Sequence, residues 1–163
     1  MGVLESYRGP SGEILPGLQV DLEEALEKLR TLFQRSGVAL AYLFGSHARD
    51  EAKPTSDIDI AILIKPEDAK GERLYNSFRE LMLGLREALG TERFDLLLLN
   101  SAPLTLQFEI VSRGRLIYWY DEGVLNAFEM DVIRRFQDTA YLRAVQNGYL
   151  RKRARQWYSR GKA

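Results

Sequence analysis

An α+β domain, with short apolar strands set between amphipathic helices and a helical stretch at the C-terminal end, is the fold class this sequence predicts. Two observations carry that reading. Apolar residues recur at helical three-and-four spacing in three segments, each followed by glycine (Gly37, Gly90, Gly114). Between these segments stand short runs of aliphatic residues bounded by Gly or Pro, as strands are. At 163 residues, 45% hydrophobic and 28% charged, the chain is long enough for one domain with a core.

Taken in order, residues 1–20 hold Pro and Gly breakers and no sustained period, and read as an N-terminal lead-in. Asp21 can cap a helix whose face is Leu22, Ala25, Leu26, Leu29, Leu32 and Phe33, and Gly37 stops it. "VALAYLF" (38–44) reads as a buried strand, and Gly45-Ser46 turns it into a short helix ending before Pro54. "SDIDIAILI" (56–64) is a second strand, closed by Lys65-Pro66. A helix over about 70–89 follows, then the strand "RFDLLLLN" (93–100). Pro103 opens a short helix that stops by Gly114, and "RLIYWY" supplies a fourth strand. From Glu122 to Trp157 the pattern is helical, with a break expected near Asn147-Gly148. The expected division is a lead-in (1–20), a catalytic domain (21–120) and a C-terminal helical extension (121–163) packed on that domain.

Composition excludes several classes of function. Twenty-three basic residues balance 23 acidic ones, so nothing global points to nucleic acid, and no direct nucleic-acid binding is expected. The absence of cysteine excludes disulfides, thiolate zinc sites and cysteine nucleophiles, and fits a reducing compartment. No apolar run approaches the ~20 residues of a membrane helix and no signal-peptide core opens the chain, so a cytoplasmic protein without a membrane partner is expected.

The chemistry sits in "LFGSHARDEAKPTSDIDIAIL" (43–63). Side chains alternate along a strand, so Asp57 and Asp59 share one face while Ile58, Ile60, Ile62 and Ile64 share the other. The Ile row explains the strand but not the aspartates, which repel each other unless a divalent cation lies between them. A lone Asp-x-Asp would read as solvated surface acids. Here a Gly-Ser turn precedes it, where Gly45 lets a phosphate approach, Ser46 adds a hydroxyl, and Arg49 reaches a phosphate oxygen or pins an aspartate. Asp95, on the next strand, stands opposite in phase to Phe94, Leu96 and Leu98. If the two strands are neighbours three carboxylates converge, able to hold two magnesium ions and to take a proton from an attacking hydroxyl. His47, the single histidine, reads as an exposed helix residue.

The stretches "FGSHAR", "SDIDIAI" and "RFDLLLLN" resemble the motifs of the minimal nucleotidyltransferases (MNT proteins) of the DNA polymerase beta superfamily. The resemblance covers about residues 38–120. It implies a nucleotidyltransferase fold, a small mixed β-sheet flanked by helices. Asp57, Asp59 and Asp95 would then be catalytic and hold Mg2+, and Gly45, Ser46, Arg49 and Ser56 would bind the nucleotide. MNT proteins that accompany HEPN ribonuclease toxins move AMP from ATP to a tyrosine of the toxin, so a cognate HEPN toxin is the implied partner. The chain departs from the pattern at Asp50, where many relatives have Gly, which adds an acid near the site.

Two rivals stand beside this reading: a nucleotidyltransferase acting on a small, antibiotic-type molecule, and a non-catalytic antitoxin that covers its toxin. The first usually needs a second substrate domain, and only about 40 residues remain for one. The second gains nothing from keeping the carboxylates together. From residue 139 onward the chain carries Arg143, Arg151, Lys152, Arg153, Arg155, Arg160 and Lys162 and no acid. Cations suit a helix C-terminus, and equally suit a docking surface for an acidic partner or RNA with Tyr149, Trp157 and Tyr158 interleaved; for docking a toxin, Arg151, Lys152, Arg153 and Arg155 are the candidates.

Overall fold

Ala25, Leu26, Leu29, Leu32 and Phe33, the helical stripe seen in the sequence, are all buried on one face of α1 (Leu22–Arg35). The computed structural model describes residues 6–8, 14–16, 22–48 and 56–160, so the expected Asp21 cap lies outside the described residues. α1 leads into β3 (Val38–Phe44), which pairs antiparallel with β4 (Ile58–Ile64) on one side and with β6 (Arg115–Trp119) on the other. β5 (Phe94–Leu98) lies parallel to β4, giving a four-stranded mixed sheet in the order β5-β4-β3-β6. Parallel neighbours need a long crossover, and α3 (Gly71–Leu89) supplies it, burying Leu81, Leu85 and Leu89.

Strand alternation divides the core between the two faces of this sheet. Ile58, Ile60, Ile62 and Ile64 pack with the buried residues of α1 and α3. Ala39, Leu40, Tyr42 and Ala61 face the other way, with Ile110 of α4 (Leu104–Arg113) and with Leu125 and Phe128 of α5 (Glu122–Asp138). Tyr42, fully buried, donates its hydroxyl to Glu129 Oε1 at 2.8 Å and ties β3 to α5. Burial and then the Glu129 carboxylate push the Tyr42 phenol far above its ordinary range, so it stays a donor at any working pH. Tyr42→Phe should lower stability by about 1–2 kcal/mol, because the half-buried carboxylate loses its donor. Denaturant unfolding checks this, and an unchanged midpoint would mean that water replaces the phenol freely.

The helical C-terminal part differs from expectation in where it breaks. Thr139 ends α5, its hydroxyl donating to the carbonyls of Arg135 (3.0 Å) and Phe136 (3.2 Å). α6 (Ala140–Arg160) then runs through Asn147-Gly148 without interruption. Glycine in an exposed helix costs only about 1 kcal/mol, too little to break it. α5 packs onto α4 through the stacked rings of Phe108 and Phe136, with centroids 3.7 Å apart, and Arg143 of α6 lies over Phe136 at 3.5 Å. Beyond that joint the described side chains of α6 are exposed. In the N-terminal region β1 (Ser6–Arg8) and β2 (Ile14–Pro16) pair antiparallel, strands of three residues each and too short to show a period in sequence.

Candidate active site

The Gly-Ser turn and the Asp-x-Asp strand meet at one end of the sheet. β3 runs into Gly45, the first residue of the short helix α2 (Gly45–Ala48). Gly45 has φ +69°, in the left-handed region that L residues rarely enter. A Cβ at this position would also collide with the carboxylate of Asp59, whose Cγ would lie 2.9 Å away. Glycine is therefore needed twice over: for the turn, and to let Asp59 lie flat against the backbone. Ser46 follows, half-buried.

Asp59 is the register partner of Phe44 on β3 and, across the parallel ladder, of Asp95 on β5. Neighbouring strands run about 4.8 Å apart, so the two aspartates stand side by side. Both are out of phase with the Ile row and with Phe94, Leu96 and Leu98, so they share the sheet face that carries α4 and α5. Asp57 lies just before β4 and is exposed, as is Asp95, while Asp59 is half-buried. Asp59 and Asp95 thus stand paired at the end of the sheet where Asp57 and half-buried Ser56 lead into β4.

Arg93 is the residue that sequence reasoning missed. Its Nε donates to Asp57 Oδ1 at 3.2 Å, and its Nη2 to the Ser56 carbonyl at 3.3 Å. Part of the charge on the pair is therefore balanced by the protein itself. The signal lay in "RFD": Arg93 and Asp95 are two apart and share a face at the start of β5. Beside Gly45 opens a cleft of about 170 Å³ lined by Phe44, Leu106, Glu109, Arg113 and Gly114. Arg49 and Asp50 lie outside the described residues, and so does the side chain of His47.

Among the described residues no three His, Cys, Asp or Glu side chains converge closely enough to make a ready-made metal cage. Magnesium does not need one, since it binds through one or two carboxylates and completes its shell with water and substrate phosphates. The all-oxygen donor set of Asp57, Asp59 and Asp95 fits that hard cation.

A mixed sheet in which a Gly-Ser turn abuts an Asp-x-Asp strand, with a third aspartate in register on the next strand, defines a nucleotidyltransferase. The chain belongs to the family described as "Polymerase beta, Nucleotidyltransferase", whose model matches residues 27–123. It is 37% identical over 95 residues to "Putative protein adenylyltransferase MJ0435" of Methanocaldococcus jannaschii, a match covering 58% of this chain and 96% of that protein. Among solved structures it resembles a chain of a toxin-antitoxin complex with AMP-PNP (TM-score 0.61, 26% identity, 77% of this chain and 98% of that one). It also resembles a chain of the complex of tri-AMPylated Shewanella oneidensis HEPN toxin with MNT antitoxin. There the TM-score is 0.57 and the identity 25%, over 78% of this chain and 98% of that one. Among the described residues no helix is long and apolar enough to cross a membrane.

Proposed function

We propose that this nucleotidyltransferase is a Mg-dependent protein adenylyltransferase and antitoxin that moves AMP from ATP to a tyrosine hydroxyl of a cognate HEPN ribonuclease toxin. The observation that carries this reading is the pairing of Asp59 with Asp95 in register, with Gly45 bare against Asp59. The likeness to chains of toxin-antitoxin complexes, one with AMP-PNP and one with an AMPylated HEPN toxin, supports the choice of nucleotide and of a toxin as acceptor.

In this mechanism Gly45, Ser46, Arg49 and Ser56 hold the triphosphate, and Asp57 and Asp59 anchor the magnesium. Magnesium, when bound, neutralises phosphate charge and steadies the attacking and leaving oxygens. Asp95 accepts the proton of the tyrosine hydroxyl as its oxygen bonds to the α-phosphorus. The bond from the α-phosphorus to the bridging oxygen breaks, and pyrophosphate leaves. A phosphodiester charge and an adenosine added near a ribonuclease site would obstruct RNA there.

Incubation of the purified chain with its cognate HEPN toxin and Mg-ATP should raise the intact toxin mass by whole AMP units, and EDTA should prevent the gain. Neutralisation without any mass change would establish the non-catalytic rival. AMP transfer to an aminoglycoside-type small molecule, with the toxin left unlabelled, would establish the other.

A further inference from the structure

α6 carries large apolar side chains in water. Tyr141, Leu142, Val145 and Tyr149 are 78%, 60%, 53% and 63% exposed. At about 100° per residue these four fall within roughly 100° of the helix circumference, and Lys152 lies in the same sector one turn further on, with Arg153 beside it. Arg143, roughly opposite, is the residue that holds α6 to the body, over the ring of Phe136. The cluster of Tyr141, Leu142, Val145 and Tyr149 therefore lies away from the Arg143 joint, while Leu150, 59% exposed, stands on the Arg143 side of the helix.

A stripe at these spacings is how a helix reads to a groove on another protein, with the apolar side chains as anchors. Charge narrows the choice of occupant. Residues 139–163 carry seven cations and no acid, so a second copy would set one basic helix against another. A nucleic acid would take up the cations but leave Leu142 and Val145 in water. An acidic-rimmed apolar groove on a protein satisfies both features.

We infer that α6 is the docking helix for the acceptor toxin, seating Tyr141, Leu142, Val145 and Tyr149 in an apolar groove whose acidic rim meets Lys152 and Arg153. The inference rests on the toxin-pair reading above and adds the surface that the partner grips.

The test is the affinity of the purified chain for its cognate HEPN toxin, measured by calorimetry. Leu142→Glu with Val145→Glu should weaken it about a hundredfold, as loss of central anchors does. Lys152→Glu with Arg153→Glu should weaken it about tenfold, with a flattened salt dependence. Both variants should melt as the wild type does and bind ATP equally well, because these side chains are exposed and lie outside the carboxylate site. Wild-type affinity in both variants would overturn the inference. So would a wild-type chain that is dimeric alone and becomes monomeric in the apolar variant, or one that retains RNA through α6 while binding toxin independently of it. The two readings separate cleanly. Toxin bound through α6 yet never gaining AMP would sink the transferase reading alone. Normal AMP transfer and affinity from both α6 variants would sink the docking helix alone.

Discussion

Gly45→Ala should lower AMP transfer about a hundredfold or more while costing the fold only about 1–2 kcal/mol. The substitution has two effects of different kinds. It places an alanine at φ +69°, a backbone strain felt by stability. It also drives a methyl group into the Asp59 carboxylate, the flexible end of its side chain, which can relieve the clash by swinging aside. That movement is cheap for folding and, under the proposed mechanism, expensive for chemistry, because there the Asp59 carboxylate anchors the metal and a displacement of about 1 Å spoils the reactive pose. Gly90, which closes α3, supplies the control. Its φ is +64°, and nothing lies within 4 Å of where its Cβ would stand. Gly90→Ala should therefore lose similar stability and keep its transfer rate. Label transfer from α-labelled ATP, with parallel melting curves, compares the two. Similar losses of activity in both variants would make backbone strain the whole effect, and wild-type transfer by Gly45→Ala would remove the close approach to Asp59 from the mechanism.

The sequence made this end of the molecule legible because local rules coincide there. A run of large aliphatics stops at Gly45, the Ile row fixes the phase of β4, and the aspartates break that phase where a packed strand would not. That β5 lies beside β4 entered the sequence reading only as a supposition, and the parallel register that sets Asp95 against Asp59 is a tertiary fact. Arg93 escaped for the same reason: nothing within a few residues of Asp57 marks a partner 36 positions away. In the C-terminal helices local rules misled. Gly148 is a weak breaker when its surroundings are solvent, whereas the hydroxyl of Thr139, bonded back to two carbonyls, marks the true end of α5. The stripe on α6 is visible in sequence, but its exposure is not, since the same spacing also describes a helix that packs on its own core.

Asp57→Asn with Asp59→Asn should reduce transfer about a thousandfold or more and leave the protein folded. Asparagine keeps the size of each side chain and removes its charge, so the change tests charge alone. The stability term is small: the Arg93–Asp57 contact joins side chains 36% and 53% exposed, and such pairs contribute about 0–1 kcal/mol. Relief of repulsion between the two carboxylates offsets part of even that. ATP binding in magnesium should fall to the level that the wild type shows in EDTA, because in the proposed mechanism the pair holds the cation that offsets the triphosphate's charge beside Asp95. Asp95→Asn separates the remaining role. If it serves chiefly as the proton acceptor, Mg-ATP affinity should stay within a few-fold of wild type while transfer collapses. A double variant that melts many degrees lower would return the Asp pair to a structural role. Transfer that survives in Asp95→Asn would remove Asp95 from the proposed mechanism as the base, and the acceptor's proton would then have to go to another group or to water.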